Sequence, residues 1–267
     1  MQKNDEIRQA VRKTYANVAT GSANIEAQKC GDGSSSCCSG VNVSPDVVSM
    51  NLGYSKDEVI GVPEGANLGL GCGNPQAIAS LQAGEAVIDL GSGAGFDSFL
   101  AAKAVGETGS VIGVDMTPDM ISKARGNAEQ AGFNNVEFRL GEIEHLPIAD
   151  NTIDVILSNC VINLSPEKQQ VFNEAFRVLK SGGRLAISDV VATAELPSEM
   201  QQDMELLSGC MSGAAQIDDL KAILYRTGFT EIKIKPKDES KQFIRQWAPG
   251  TKIEDYVVSA TIEAVKP

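Results

Sequence analysis

Histidine is almost absent from this sequence. His145 is the single one among 267 residues, and no Cys-x-x-Cys pair occurs among the six cysteines. The donor spacing of a closed tetrahedral zinc site is therefore missing. His145, in a loop ahead of Leu146-Pro147, reads as a solvent-exposed residue rather than a general base. Long apolar runs are missing too: every apolar stretch is strand-sized, far short of the roughly 20 residues a bilayer crossing needs. Met1-Gln2-Lys3-Asn4-Asp5-Glu6 passes straight into a charged amphipathic pattern, without the apolar core of a secretory signal. Positive charge is the third deficit. With 23 Lys and Arg against 35 Asp and Glu, the net charge is -12 at pH 7. Such an acidic surface repels nucleic-acid backbones and anionic membranes. Together the deficits describe a cytoplasmic protein whose partners are neither nucleic acid nor membrane.

What is present is an alternation of strand and helix signals. The length suits one α/β domain of about 150–200 residues plus a smaller appendage. Ile7, Val11, Tyr15 and Val18 recur at spacings of four, four and three, a helical stripe within residues 5–19. Gly21 to Gly40, rich in Gly and Ser and holding Cys30, Cys37 and Cys38, reads by composition as a loop. Short helices broken by Gly and Pro are expected over 44–84. From residue 86 the pattern becomes strand–helix–strand. Strands are expected at 86–90, 110–114, 136–140, 153–158 and 184–188. Helices are expected at 96–105, from Pro118, and at 166–180, the last stopped by Ser181-Gly182-Gly183. Two helices (199–209 and 216–227) and two strands (230–235 and 256–264) follow. The last strand either closes the sheet edge or belongs to a small lobe. The implied class is α/β, a mostly parallel sheet with helices on both faces. Three regions result: an N-terminal helical and cysteine-loop extension (1–84), a nucleoside-binding domain (85–190) and a C-terminal region (191–267).

Asp89-Leu90-Gly91-Ser92-Gly93-Ala94-Gly95-Phe96-Asp97 stands where the first strand turns into a helix. Glycines there let the backbone turn sharply and approach a ligand, with helix N–H groups facing it. A dinucleotide fingerprint would need its third glycine where Phe96 stands. The Gly-x-Gly-x-Gly spacing, with an acid two residues ahead, instead resembles the S-adenosylmethionine loop of the Rossmann-like class I methyltransferases. Asp115 ends the second strand, where a carboxylate can accept bonds from two ribose hydroxyls. Gly141-Glu142-Ile143 follows the third strand, where this fold lines the adenine pocket. The cofactor is thus expected on Asp89, Gly91, Ser92, Gly93, Gly95, Asp115, Met116, Gly141, Glu142, Ile143 and Asn159.

The acceptor must be read from the cysteines. Cys160 follows the fourth strand in Ser158-Asn159-Cys160-Val161-Ile162-Asn163-Leu164, at the carboxyl edge where open α/β sheets bind ligands. Cysteine is among the most buried residue types, so core filling competes with function at each position. Gly71 and Gly73 around Cys72, and the small residues around Cys210 in Ser208-Gly209-Cys210-Met211-Ser212-Gly213, argue against mere packing.

A narrower resemblance follows. Leu68 to Pro75, Asp89 to Asp97, Gly113-Val114-Asp115-Met116-Thr117, Ser158 to Leu164, Arg177-Val178-Leu179-Lys180 and Ser188-Asp189-Val190 together resemble the arsenite methyltransferase family, from about residue 10 to the C-terminus. The resemblance implies methyl transfer from S-adenosylmethionine to trivalent arsenic, with Cys72, Cys160 and Cys210 as the three thiols that hold it. It also implies an N-terminal redox cysteine, for which Cys37 and Cys38 are candidates and Cys30 a weaker one. Thioredoxin or glutathione would be the thiol reductant, and nothing obliges more than a monomer. The acidic charge agrees: arsenite is a neutral acid, whereas arsenate or a phosphate ester would be repelled. Two other readings compete. A methyltransferase for a quinone-like or other organic acceptor predicts an apolar pocket without need of three thiols. A thiol sensor of soft metalloids leaves the cofactor loop idle.

Overall fold

The computed structural model describes residues 2–21, 44–201 and 203–267. Cys30, Cys37 and Cys38 lie outside them. Among the described residues, four helices precede the sheet: α1 (Gln2–Ala19), α2 (Pro45–Asn51), α3 (Lys56–Ile60) and α4 (Gln76–Ala79). Ser55 and Glu58 form a reciprocal capping box that starts α3. The alternating core is then β1 (Ala86–Leu90), α5 (Phe96–Val105), β2 (Ser110–Asp115), α6 (Pro118–Ala131), β3 (Val136–Leu140), β4 (Ile153–Asn159), α7 (Lys168–Val178) and β5 (Leu179–Ala192). After β5 come α8 (Ser198–Gln201), α9 (Met204–Ser208), α10 (Ile217–Thr227), β6 (Thr230–Lys237), α11 (Lys241–Trp247) and β7 (Val257–Val265).

The seven strands of the described residues form one sheet in the order β3-β2-β1-β4-β5-β7-β6. β7 runs antiparallel to both β5 and β6, while the other pairs are parallel. The last strand therefore completes the sheet. It pairs with β5 along nine residues, from Arg184↔Val265 to Ala192↔Val257. The order reverses between β1 and β4, and the carboxyl ends of those two strands open the crevice in which such sheets bind ligands. Asp89 is the penultimate residue of β1 beside it, and Asn159 ends β4.

Two expectations need correction. The helix before β5 ends at Val178, not at Ser181-Gly182-Gly183, because Leu179 already pairs with Ile153 in the sheet. Gly182 (φ +80°) instead turns inside the strand, where its N–H donates to the Lys266 carbonyl. The single helix expected over 199–209 is two short ones, α8 and α9.

The core is layered by chemistry. Ile88, Leu90, Ile156, Leu185, Phe172 and Leu224 fill one face of the sheet, and Val87, Ala101, Val105 and Val155 the other. A separate apolar cluster gathers Val11, Leu164, Leu206, Met211, Ile244 and Val257 around Cys72, Cys160 and Cys210. The C-terminal segments thus serve two ends: β6 and β7 extend the sheet, and α9 and α11 roof the thiols.

Candidate active site

The glycine turn is built by space as much as by torsion. Gly91 has φ +67°, and a Cβ on it would lie 2.2 Å from Val161 Cγ2. A Cβ on Gly95 (φ +98°) would strike Phe99 and Phe138 at 2.6 and 2.8 Å. Gly93 (φ +53°) differs: the nearest atom to its would-be Cβ is Met120 Sδ at 4.0 Å. Its open side faces a cavity of about 440 Å³. Ser92 Oγ, on the cavity wall, is buried without a hydrogen-bond partner among the described residues. Buried polar atoms are normally paired, so this hydroxyl and the open face of Gly93 fit a polar ligand lying on the turn. The Asp115 carboxylate ties the turn to β2, accepting the Gly93 N–H at 3.0 Å and the Thr117 N–H at 2.8 Å. Each oxygen keeps a lone pair for a sugar hydroxyl.

Asp115, Met116, Gly141, Ile143 and Asn159 line the cavity as expected of a cofactor wall, together with Asp89 and Gly91. Two expected residues stand back. Gly95 serves the turn and the packing behind it, and the Glu142 side chain is drawn to Arg12 at 3.3 Å and Arg8 at 3.7 Å. Asp89 is buried and accepts the Ser98 hydroxyl at 2.6 Å. Burial pushes its carboxyl well above the usual range, and the neighbouring Asp97 charge adds to this.

The same cavity runs on to the cysteines. Cys160 and Cys210 line it, whereas Cys72 lies just behind, its sulfur within 4.8 Å of that of Cys160. All three are free and buried. Cys160 (φ +60°) and Cys210 (φ +63°) both adopt the left-handed backbone that non-glycine residues rarely take. Strain of that kind concentrates at functional sites. The Cys160 N–H donates to the Ser188 carbonyl at 2.8 Å, and the Cys210 thiol donates to the Cys160 carbonyl at 2.6 Å. Glycine allows this approach: a Cβ on Gly213 would sit 2.1 Å from the Asn163 carbonyl oxygen. Burial raises the Cys160 thiol well above its ordinary value, helped by Cys210 and Cys72, and burial likewise raises Cys72.

Asn159 joins the two halves. Its Oδ1 accepts the Cys72 N–H at 3.0 Å, while its Nδ2 lies 2.9 Å from the Gly73 carbonyl, 3.0 Å from the Tyr54 hydroxyl and 3.2 Å from Asp97 Oδ2. Tyr54 also donates to Asp97 at 2.8 Å. Burial raises Asp97 to about 6 despite these donors. A Cβ on Gly71 would collide with the Asn159 amide at 2.8 Å, which explains the glycine beside Cys72.

Several residues escaped the sequence reading. α1 forms a wall of the cavity through Arg8, Val11, Thr14, Tyr15 and Val18. The Tyr15 hydroxyl donates to the Ser208 carbonyl at 3.2 Å, beside Cys210. Arg8 fastens the helix to Glu144 at 3.0 Å and Glu167 at 2.6 Å. The helical stripe of α1 was visible in the sequence; its burial surface was not. Asp189 and Trp247, the latter on the cavity wall, also went unassigned. His145 is exposed, as expected.

A strand order reversing between β1 and β4, a glycine turn there and an acid ending β2 define a class I methyltransferase. A methyltransferase-domain model matches residues 81–228. The chain is 54% identical to the arsenite methyltransferase of Halobacterium salinarum over 98% of its own length and 67% of that protein. It is 33% identical to the arsenite methyltransferase of Mus musculus over 88% of its length and 61% of the mouse protein. The solved arsenic(III) S-adenosylmethionine methyltransferase of Chlamydomonas reinhardtii superposes with a TM-score of 0.63 at 31% identity, covering 84% of this chain and 74% of that one. The chain belongs to the arsenite methyltransferase family. It spans about two thirds or less of the curated relatives' own length.

Proposed function

We propose that the protein transfers the methyl group of S-adenosylmethionine to trivalent arsenic held by Cys72, Cys160 and Cys210. One observation carries the reading: a single cavity extends from the glycine turn and Asp115 to Cys160 and Cys210, and the Cys72 sulfur stands behind Cys160. When bound, the cofactor supplies an electrophilic methyl on a sulfonium. The chain does the rest. Asp115 offers its remaining lone pairs to the ribose, and Ser92 and the Gly93 backbone bound the nucleoside side.

Cys72 and Cys160, raised by burial, meet arsenous acid as neutral thiols. Each As–S bond forms as an arsenic hydroxyl leaves as water with the thiol proton. Soft arsenic prefers sulfur, and three sulfurs leave its lone pair projecting outward. That lone pair takes the methyl, so no general base is needed, which suits a cavity without histidine. The apolar cluster of Val11, Leu164, Leu206 and Ile244 around the thiols keeps water from the transfer. Methylation leaves arsenic formally pentavalent, and two electrons must return it to the trivalent state. Two thiols supply them by forming a disulfide. Cys37 or Cys38 is the proposed redox partner, with thioredoxin or glutathione restoring the thiols. The cytoplasm, where such reductants act, is the proposed compartment. Among the described residues no helix is long and apolar enough to cross a membrane. An organic acceptor would leave three buried thiols gathered at the cavity without a task. A sensor would leave the glycine cradle without one.

Calorimetric titration of the reduced protein with arsenite, with and without S-adenosylmethionine, followed by mass analysis for methylarsenicals, tests the reading. Cys160→Ser and Cys210→Ser should each abolish methylation with cofactor affinity unchanged; normal turnover in either removes that thiol from the mechanism.

A further inference from the structure

Asp189 has no part in the arsenic chemistry above, yet its carboxylate, Cys72 Sγ and Cys160 Sγ lie within 4.8 Å of one another, all buried. Three donors hold the carboxylate: Ile162 N–H at 3.0 Å on Oδ2, with Val190 N–H at 2.8 Å and Asn163 Nδ2 at 2.9 Å on Oδ1. An ionised carboxylate offers about four acceptor positions, so Oδ2 keeps a free lone pair. Trivalent arsenic has no use for it, because three sulfurs complete its pyramid and its own lone pair occupies the fourth corner. A tetrahedral divalent ion has no such lone pair and requires a fourth donor.

We propose that Cys72, Cys160 and Asp189, with Cys210 as the third sulfur, form a site for a thiophilic divalent cation, zinc or cadmium, that competes with arsenite. Sulfur at about 2.3 Å and carboxylate oxygen at about 2.0–2.2 Å from such an ion stand roughly 3.5–3.8 Å apart around a tetrahedron. The observed donor atoms lie within 4.8 Å of one another, so an ion would draw them together by up to ~1.3 Å. Cys210 is at hand, since its thiol reaches the Cys160 carbonyl. The site is independent of the methylation reading, because it needs neither the cofactor nor any turnover.

The test uses the full chain with Cys30, Cys37 and Cys38 replaced by serine, so that only the three buried thiols can bind metal. The reduced, metal-free protein is titrated with Cd2+, read by sulfur-to-cadmium charge-transfer absorbance. One Cd2+ per chain is expected, and the apparent Kd for arsenite should rise in proportion to free Cd2+. Asp189→Asn should weaken Cd2+ at least tenfold and leave arsenite affinity within twofold. Simultaneous binding of Cd2+ and arsenite, or equal Cd2+ affinity in Asp189→Asn, would overturn the proposal. Should that variant fail to fold, aspartate 13Cγ resonances of the Asp189 protein decide. A single resonance shifted by Cd2+ supports the site, and none shifted rejects it.

Discussion

Asp115 and Asn159 both end strands at the same crevice, and their hydrogen bonds separate their tasks. Asp115 holds the glycine turn with one lone pair per oxygen and has the others free. Asn159 has its amide committed to Cys72, Gly73, Tyr54 and Asp97. Asp115→Ala should therefore weaken S-adenosylmethionine at least tenfold, since charge-assisted hydrogen bonds contribute about 1.5–3 kcal/mol each. Asn159 was expected among the cofactor contacts, but its amide is turned to the Cys72 loop, so Asn159→Ala should weaken arsenite at least tenfold and cofactor affinity less than Asp115→Ala does. Isothermal titration of both ligands against both variants checks the pair, and a swapped pattern reverses the assignments. The thiols make a further prediction. Because burial keeps Cys72 and Cys160 protonated near neutrality, arsenite binding at pH 7 should exchange no protons. Binding heats should then be the same in buffers of different ionisation enthalpy. Thiolates in the free enzyme would instead take up protons on binding.

At the scale of elements, α1 is the piece that turns an open crevice into a walled cavity. Its attachment is mostly ionic at one end and apolar at the middle, where Val11 and Tyr15 pack toward the thiols. Glu144 is nearly buried, whereas Glu167 is half exposed and open to screening by salt. Arg8→Ala should loosen the helix by about 1.5–3 kcal/mol, the scale of a charge-assisted bond. The expected result is faster cofactor release, roughly tenfold or more, with a weaker salt dependence than in the parent. Trp247, the sole tryptophan, lines the cavity and provides the fluorescence signal for stopped-flow measurement. An unchanged release rate would mean that α1 does not gate the site.

Across the whole molecule, the cavity gathers buried carboxylates at a cost to stability. Asp97 is raised by burial from 3.8 to about 6, so the folded protein holds that proton more tightly than the unfolded chain. Stability from this group is therefore greatest below pH 4 and declines as pH rises from about 4 to 6, by on the order of 3 kcal/mol. Asp89 is shifted in the same direction. Asp97→Asn should flatten this part of the profile, measured as the difference in thermal midpoint between pH 4 and pH 7. A parent and variant with parallel profiles would show that Asp97 ionises normally.

Apart from the late stop given to the helix before β5, the strands, the crossover helices and the glycine turn were legible along the chain, because period, turn residues and strand-end acids are local signals. So was the prominence of Cys72 and Cys210, through the glycines beside them. The pairing of the last strand was not legible, since an apolar strand of nine residues suits an edge or a separate lobe equally well until β5 offers it a partner. The convergence of Cys72, Cys160 and Cys210, separated by 88 and 50 positions in sequence, was implied by the family resemblance and by no local signal. Only the packing of the Cys72 loop onto Asn159, and of the Cys210 turn onto Asn163, brings them together. The role of α1 was hidden for the same reason: its stripe announces a buried face, and the tertiary structure alone decides that the face looks onto a cavity.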